Sequence, residues 1–155
     1  MSMIKVTKRN GKKEPVKFDK IVDRITQQTY GLDQKWIVPF EVAQKVIEGI
    51  MPDIQTSVLD SLAMETAASL TTKHPDYSTL AARLAITALH KETKKSFSET
   101  VSDLYKYIDP KTRKHSPIVS KIFRDIVKKH ADELDSAIVH SRDHNFDYFG
   151  FKTLE

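Results

Sequence analysis

Apolar and polar residues alternate at the start of the chain in the pattern of a short β-hairpin. The alternation is interrupted by Arg9-Asn10-Gly11-Lys12, and Asn-Gly between two alternating segments is the strongest short-range hairpin signal. The sequence therefore predicts a hairpin over about residues 3–18. The alternating apolar residues are Ile4, Val6, Val16 and Phe18.

Four stretches with apolar residues at helical spacing follow the hairpin. We expect the first helix over about 19–30, with Asp19 as its N-cap and Gly31 as its stop signal. The second is predicted over about 39–51, with Pro39 in the first helical position.

The third and fourth helices are predicted on either side of His74-Pro75-Asp76. Thr56 or Ser57 is expected to cap the third helix, with Asp60 in its first turn and an end near Lys73. The fourth follows at once and reaches a basic cluster of residues 91–95. Its many small residues on one face favour close helix packing.

The remaining sequence predicts further helices and an apolar tail. Ser98 is expected to cap one helix, which Asp109-Pro110 ends, and Ser116-Pro117 is expected to open another. Such an apolar tail usually packs on another surface, and we expect the chain to be truncated there. The predicted inward residues of the last helix are Ile118, Ile122, Ile126 and Val127, and the tail residues are Phe146, Tyr148, Phe149, Phe151 and Leu154.

Composition narrows the classes of protein that fit. The 155 residues are 39% hydrophobic and 30% charged, which is ordinary for a soluble domain. No stretch approaches the roughly 20 apolar residues of a membrane span, and we expect a cytoplasmic protein without membrane contact. The absence of cysteine excludes disulfides, thiol nucleophiles, zinc ribbons and iron–sulfur clusters.

Positive charge is concentrated at the amino terminus, although the net charge is only +4. Residues 1–20 hold seven basic residues against two acidic ones. This imbalance indicates an anionic partner, and both a short phosphate ligand and a nucleic acid remain open. A solvated, highly charged hairpin without a partner is the simpler interpretation of the same residues.

Catalytic and metal motifs are weak. The chain has no Gly-rich phosphate loop and no Gly-x-Ser-x-Gly elbow. His140 and His144, with Asp143 and Asp147 beside them, have a spacing that could hold a metal, but polar surface clusters of this kind are common. We therefore predict no catalytic residue and no metal site.

A basic hairpin over a helical bundle favours a nucleotide site. Lysines at the hairpin edge suit phosphates, and Arg9 could add a forked contact. Thr56 and Asp60 at the start of the third helix could meet a sugar. The residues that could face a base are Val16, Phe18 and Ile21.

Two segments resemble the opening of ATP-cone domains: Val6-Thr7-Lys8-Arg9-Asn10-Gly11 and Glu14-Pro15-Val16-Lys17-Phe18-Asp19-Lys20-Ile21. Further segments are similar, in order and spacing, to the amino-terminal region of the eukaryotic-type large subunit of class I ribonucleoside-diphosphate reductase. These are His74-Pro75-Asp76-Tyr77, Ala81-Ala82-Arg83-Leu84-Ala85, His90-Lys91-Glu92-Thr93-Lys94-Lys95, His115-Ser116-Pro117 and residues 148–155.

The resemblance implies a mainly α fold, in which a short amino-terminal β-hairpin lies over a four-helix bundle and further helices follow. It implies an ATP-cone over residues 1–95 and the helical start of the reductase body over 96–155. It also implies ATP as an activating and dATP as an inhibiting effector, with Mg²⁺. The implied partners are the remainder of the large subunit, a large-subunit homo-oligomer and a small radical-generating subunit.

The resemblance also carries residue roles. Lys8 and Arg9 are expected at the phosphates, Glu14 to Lys20 around the base and the first helix, and Asp60 near the ribose. Because Pro15 lacks a donor, backbone contacts at that position are not expected. The full set of expected nucleotide-binding residues is Lys8, Arg9, Glu14, Val16, Lys17, Phe18, Asp19, Lys20, Ile21, Thr56, Asp60 and Lys91.

Two other functions fit parts of the sequence. ATP-cones also occur in bacterial repressors, so a nucleic-acid-binding regulator is one alternative, although the zinc ribbon of those repressors needs cysteine. A plain oligomerisation module is the other. At the level of residues, Phe18 and Ile21 could be core residues, Asp60 a helix-start charge and Lys91 a solvated lysine.

Overall fold

The computed structural model of the protein describes residues 4–155, and its fold is mainly α with a small sheet near the amino terminus. The chain forms two compact units. The first unit ends at Leu89 and also takes in Asp143–Glu155, whereas the second unit is His90–Arg142. The predicted fold class is confirmed.

The predicted hairpin is present in the first unit. Strand β1 (Lys5–Thr7) pairs antiparallel with β2 (Lys13–Pro15), while Met3 lies outside the described residues. The turn is closed by a hydrogen bond from the Gly11 N–H to the Lys8 carbonyl, at 2.8 Å. Gly11 has a φ of 78°, a left-handed conformation that glycine adopts without steric cost and that typically ends a three-residue hairpin loop.

A third strand, β3 (Ile54–Gln55), pairs parallel with β1 and places β1 in the centre of the sheet. The pairing sets Thr7 beside Gln55, and the Asp53 N–H donates to the Lys5 carbonyl at 3.0 Å. The sequence did not predict this strand, because two residues carry no periodicity. Its partner is also distant along the chain.

The four predicted helices are present, and the first unit contains three of them and most of the fourth: α1 (Phe18–Thr26), α2 (Pro39–Glu48), α3 (Thr56–Ser69) and α4 (Asp76–Glu92), whose last three residues belong to the second unit. Helix α2 begins with Pro39 in its first turn, as expected, but α1 ends at Thr26, well before Gly31.

The predicted N-caps of α1 and α3 are wrong. The N-cap of α1 is Lys17, so that Asp19 lies inside the first turn, and the N-cap of α3 is Gln55. Neither cap residue makes a side-chain cap hydrogen bond. The physical reason at α3 is that strand β3 runs directly into the helix, so the sheet rather than a capping side chain fixes where the helix begins.

The core of the first unit lies between these helices and also takes in a carboxyl-terminal helix, α8 (Tyr148–Leu154). Tyr148 and Phe151 of α8 are buried in it, whereas Phe149 and Leu154 are exposed. Part of the apolar tail therefore packs on the first unit. The largest fully buried side chains are Ile25, Ile37, Val42, Val46, Tyr77, Leu80, Leu84 and Ile86.

The second unit contains α5 (Phe97–Tyr105), α6 (Lys121–Lys129) and α7 (Ala131–Ala137). Ser96 rather than Ser98 caps α5, by accepting from the Glu99 N–H. Asp135 joins the start of α5 to α7, since its carboxylate accepts from the Ser98 N–H at 2.8 Å.

The predicted helix start at Ser116-Pro117 is wrong, because α6 begins four residues later with Ser120 as its cap. The preceding segment is held in a bridge between Ile108 and His115, and the Ser116 N–H donates to the Tyr107 carbonyl. This pairing keeps the chain extended. Of the four predicted inward residues, Val127 is buried, whereas Ile118, Ile122 and Ile126 are exposed.

Within the part of the chain that the structure describes, no helix is long and apolar enough to cross a membrane.

Candidate phosphate-binding site

A cavity of about 220 Å³ lies where the hairpin turn meets the start of α3 in the first unit. The parallel pairing of β1 with β3 creates it, because this pairing carries the first turn of α3 alongside the Lys8–Lys12 turn. Three of the predicted nucleotide-binding residues, Lys8, Arg9 and Thr56, line the cavity. The complete lining is Thr7, Lys8, Arg9, Gly11, Gln55, Thr56 and Ser57.

The chemistry of this lining suits an anion. The first amide groups of a helix have no acceptor within the helix, and the helix dipole adds partial positive charge there. Helix α3 presents such an end without a side-chain cap from Gln55, and Lys8 and Arg9 add two cations. Pockets for drug-sized ligands usually measure about 300–1,000 Å³. The cavity therefore fits a polyphosphate group better than a whole nucleotide.

Glu14 connects the cavity lysine to the rest of the hairpin. Its carboxylate lies 2.8 Å from the Lys8 ammonium, 3.8 Å from that of Lys12 and 4.0 Å from that of Lys20. The hydrogen bond from Lys8 holds the pKa of Glu14 below its ordinary value, and the charges of Lys20 and Lys12 act in the same direction. Glu14 is thus a single carboxylate shared by three lysines, and it offsets only part of their positive charge.

Asp60 is buried beside this cavity, with its side chain 8% exposed. It follows Thr56 by four residues on α3, so the two side chains share a helix face. Its carboxylate lies 2.6 Å from Nε of Arg24 and 3.2 Å from Nη2 of Arg9. Asp60 lies beyond the first turn. The expectation of a first-turn residue was therefore wrong.

The other predicted residues lie on the hairpin and on α1. Lys17, Asp19 and Lys20 are exposed. Phe18 and Ile21 are partly buried against the core, and the Phe18 ring contacts the Phe40 ring edge to face at 5.2 Å. This agrees with the simpler interpretation of both as core residues.

Val16 and Lys91 complete the set. Val16 is partly buried, and its N–H donates to the Ile4 carbonyl at 2.9 Å. Lys91 is exposed in the last turn of α4 and belongs to the second unit, whereas the cavity belongs to the first. Nucleotide contacts by these two residues stay predictions.

Sequence reasoning missed Thr7, Gly11, Gln55 and Ser57 as cavity residues and Arg24 as a partner of Asp60. The places of Gln55 and Ser57 depend on strand β3, which has no local signal. Arg24 lies on α1, and its pairing with Asp60 joins two helices that are distant in sequence. The only sequence signal for this pairing was a basic residue, Arg24, on the partly apolar first helix.

His140, one of the two histidines considered as metal ligands, contacts other residues of the second unit. Nε2 of His140 lies 3.0 Å from the Lys95 carbonyl, and its ring packs edge to face on that of His90 at 5.9 Å. Both contacts lie within the second unit.

Comparison with known proteins identifies the region that carries the cavity. The ATP-cone domain matches residues 4–92 of the chain, which is more than half of its length. The match includes the hairpin, the four helices α1–α4 and every residue that lines the cavity.

The chain is also similar to ribonucleoside-diphosphate reductase large subunits. It is 57% identical to that of monkeypox virus over 97% of this chain and 20% of the relative. The corresponding large chain of Schizosaccharomyces pombe is 54% identical over 97% and 18%, and the large subunit of Danio rerio is 52% identical over 97% and 19%. The chain therefore spans about a fifth of the length of these relatives and matches their amino-terminal region.

Proposed function

This chain belongs to the ATP-cone family, and on that premise we propose that it senses ATP and dATP for a ribonucleoside-diphosphate reductase. The chain is the regulatory, non-catalytic amino-terminal part of the large subunit. ATP bound to it activates the enzyme in deoxyribonucleotide synthesis, and dATP bound to it inhibits. The similarity to reductase large subunits over 97% of the chain supports this choice among proteins with an ATP-cone.

The observation that carries the proposal is the cavity between the hairpin turn and the start of α3. Lys8 and Arg9 contact the triphosphate there, together with amide groups of the first turn of α3. Asp60 lies on the same helix face one turn further on, where it accepts a hydrogen bond from the ribose. The base lies against the segment from Glu14 to Ile21.

Magnesium accompanies the nucleotide in this proposal. Mg²⁺ is usually bound by one or two carboxylates together with phosphate oxygens. Among the described residues, those that line the cavity offer the hydroxyls of Thr7, Thr56 and Ser57 but no carboxylate. The residues therefore fit an ion that the nucleotide phosphates hold and a hydroxyl assists.

The partners follow from the same assignment. The chain acts on the remainder of the large subunit. The nucleotide that it binds controls the assembly of large-subunit oligomers and their interaction with the small radical-generating subunit. On the ground of this similarity we place the protein in the cytoplasm. A nucleic acid is not a partner in this proposal.

Isothermal titration of the 155-residue chain with ATP and with dATP tests the proposal. We expect both nucleotides to bind, and we expect no turnover of ribonucleoside diphosphates with a reductant, since the chain has no cysteine. Absence of binding heat at millimolar nucleotide would contradict the sensor, and turnover would contradict the non-catalytic role. Salt-dependent binding of DNA in place of nucleotides would favour a nucleic-acid regulator.

A further inference from the structure

Each carboxylate oxygen of Asp60 lies next to one arginine side chain. Nε of Arg24 lies 2.6 Å from Oδ1, and Nη2 of Arg9 donates to Oδ2 at 3.2 Å. The carboxylate is more than nine-tenths buried. A buried charge is tolerated when it is paired, because burial removes its solvation by water. Asp60 therefore needs a cationic or donating partner at each oxygen.

The two arginines are anchored differently. Arg24 extends from α1, next to the fully buried Ile25, and its Nε and Nη2 atoms are buried without a hydrogen bond among the described residues, so that it meets Asp60 as an ion pair. The Asp60 carboxylate is thus the charge that balances this guanidinium. Arg9 instead extends from the hairpin turn, its side chain is one-third exposed, and it lines the cavity.

We propose that Arg24 is a positioning residue that holds Asp60 in place, whereas Arg9 is an exchangeable partner that a nucleotide displaces. This inference rests on the proposed function. When the triphosphate enters the cavity, Arg9 leaves Oδ2 for a phosphate oxygen, and a sugar hydroxyl donates to Oδ2 in its place. Each charged group keeps a partner throughout, because Arg9 trades a carboxylate for a phosphate and Asp60 trades an N–H donor for an O–H donor.

The exchange predicts opposite effects of one substitution on two ligands. In Arg9→Gln, ATP loses a phosphate contact, and its affinity should fall about tenfold. Adenosine has no phosphate, so it must displace Arg9 from Asp60 without compensation. Its affinity should therefore rise about threefold in the same variant. Chemical-shift titration of the 155-residue chain measures both affinities, including the weak one.

Equal losses for ATP and adenosine in Arg9→Gln, or unchanged affinity for both, would overturn the exchange. The exposed Arg142 of the second unit offers a matched control, since Arg142→Gln removes the same charge and should change neither affinity. Failure of the wild-type chain to bind ATP would instead reject the proposed function, so the two failures are distinguishable.

The positioning role of Arg24 is tested by the ratio of the affinities for ATP and dATP rather than by either affinity alone. Arg24→Gln should bring the ratio of ATP to dATP affinities closer to one, whichever nucleotide the wild-type chain prefers, because a carboxylate that is no longer held cannot discriminate between the two sugars. Arg24→Lys keeps the charge and should restore part of the ratio. A ratio that stays at its wild-type value in Arg24→Gln, with the chain folded by circular dichroism, would overturn the positioning role. If Arg24→Gln does not fold, Arg24→Lys is the test: lysine lacks the forked guanidinium, so the ratio should move part of the way toward one, and a wild-type ratio in the folded Arg24→Lys chain would overturn the positioning role.

Discussion

The Lys8–Glu14 pair shows how a single contact links the hairpin to its proposed ligand. Lys8 lines the cavity and at the same time donates to Glu14 at 2.8 Å. A lysine in this position can serve a phosphate only by sharing or leaving its carboxylate partner. The pKa of the Glu14 carboxyl therefore depends on where the Lys8 ammonium lies.

We predict that the Glu14 carboxyl titrates below its ordinary pKa in the nucleotide-free chain and closer to the ordinary value in Lys8→Ala. The folded pKa is depressed, so the stabilisation from this pair is present above the ordinary pKa of a glutamate. It is lost as the pH falls through the folded pKa. Carboxyl-detected NMR titration of the two proteins measures both values. ATP at saturation should move the wild-type pKa in the same direction as Lys8→Ala, and identical titration curves in all three samples would contradict the assignment.

Residue-level patterns grouped three residues that the structure brings together, but they misplaced the helix caps. Lys8, Arg9 and Thr56 were expected at phosphates or sugar, and the structure brings these three into one cavity. The expected caps Asp19 and Ser98 were wrong, because the helices begin one or more residues earlier. A capping signal lies within a few residues of sequence, whereas the starts of these helices also depend on the structure around them, such as strand β3 before α3 and Asp135 beside the start of α5.

At the scale of elements, the strand that builds the cavity had no detectable signal. Strand β3 contains two residues, and its pairing with β1 is what brings the start of α3 to the hairpin turn. The four helices α1–α4 were predictable because each carries a long apolar stripe. The exposed Ile118, Ile122 and Ile126 show the opposite case, in which an apolar pattern appears without burial in this chain.

Helix α8 yields a stability prediction with an internal control. Phe151 is 8% exposed in the core of the first unit, whereas Phe149 of the same helix is 64% exposed. Phe151→Ala should lower the free energy of unfolding by about 3 kcal/mol, through lost apolar burial and the cavity left behind. Phe149→Ala should change it by less than about 0.5 kcal/mol. Urea unfolding followed by circular dichroism compares them, and equal losses would show that α8 does not stabilise the first unit through Phe151.

At the scale of the whole molecule, a sensor must convert a difference between nucleotides into a difference between enzyme states. ATP and dATP differ only at the 2′ hydroxyl, so discrimination requires a group close to the sugar. An effector can shift an equilibrium only by its differential affinity for the two states. The sequence predicted the family and a set of candidate residues, but it could not show that Asp60 is buried between two arginines. That arrangement depends on contacts of α3 with both α1 and the hairpin turn.

Asp60→Asn in a complete reductase large subunit that carries this cone tests the coupling. The substitution keeps the shape of the side chain but removes the charge that pairs with Arg9 and Arg24. We expect the variant to fold with reduced stability, since the Arg24 guanidinium loses its balancing carboxylate. We also expect ATP and dATP to have nearly the same effect on it, with loss of most of a coupling of about 1–3 kcal/mol.

The measurement is reductase activity against dATP concentration at fixed ATP, with thermal unfolding as the folding control. Asp132→Asn, the same change at an exposed residue of α7, should leave the inhibition curve at its wild-type position. If Asp60→Asn is inhibited as sharply as wild type while it remains folded, the buried carboxylate is only a structural ion-pair partner and the sugar is sensed elsewhere.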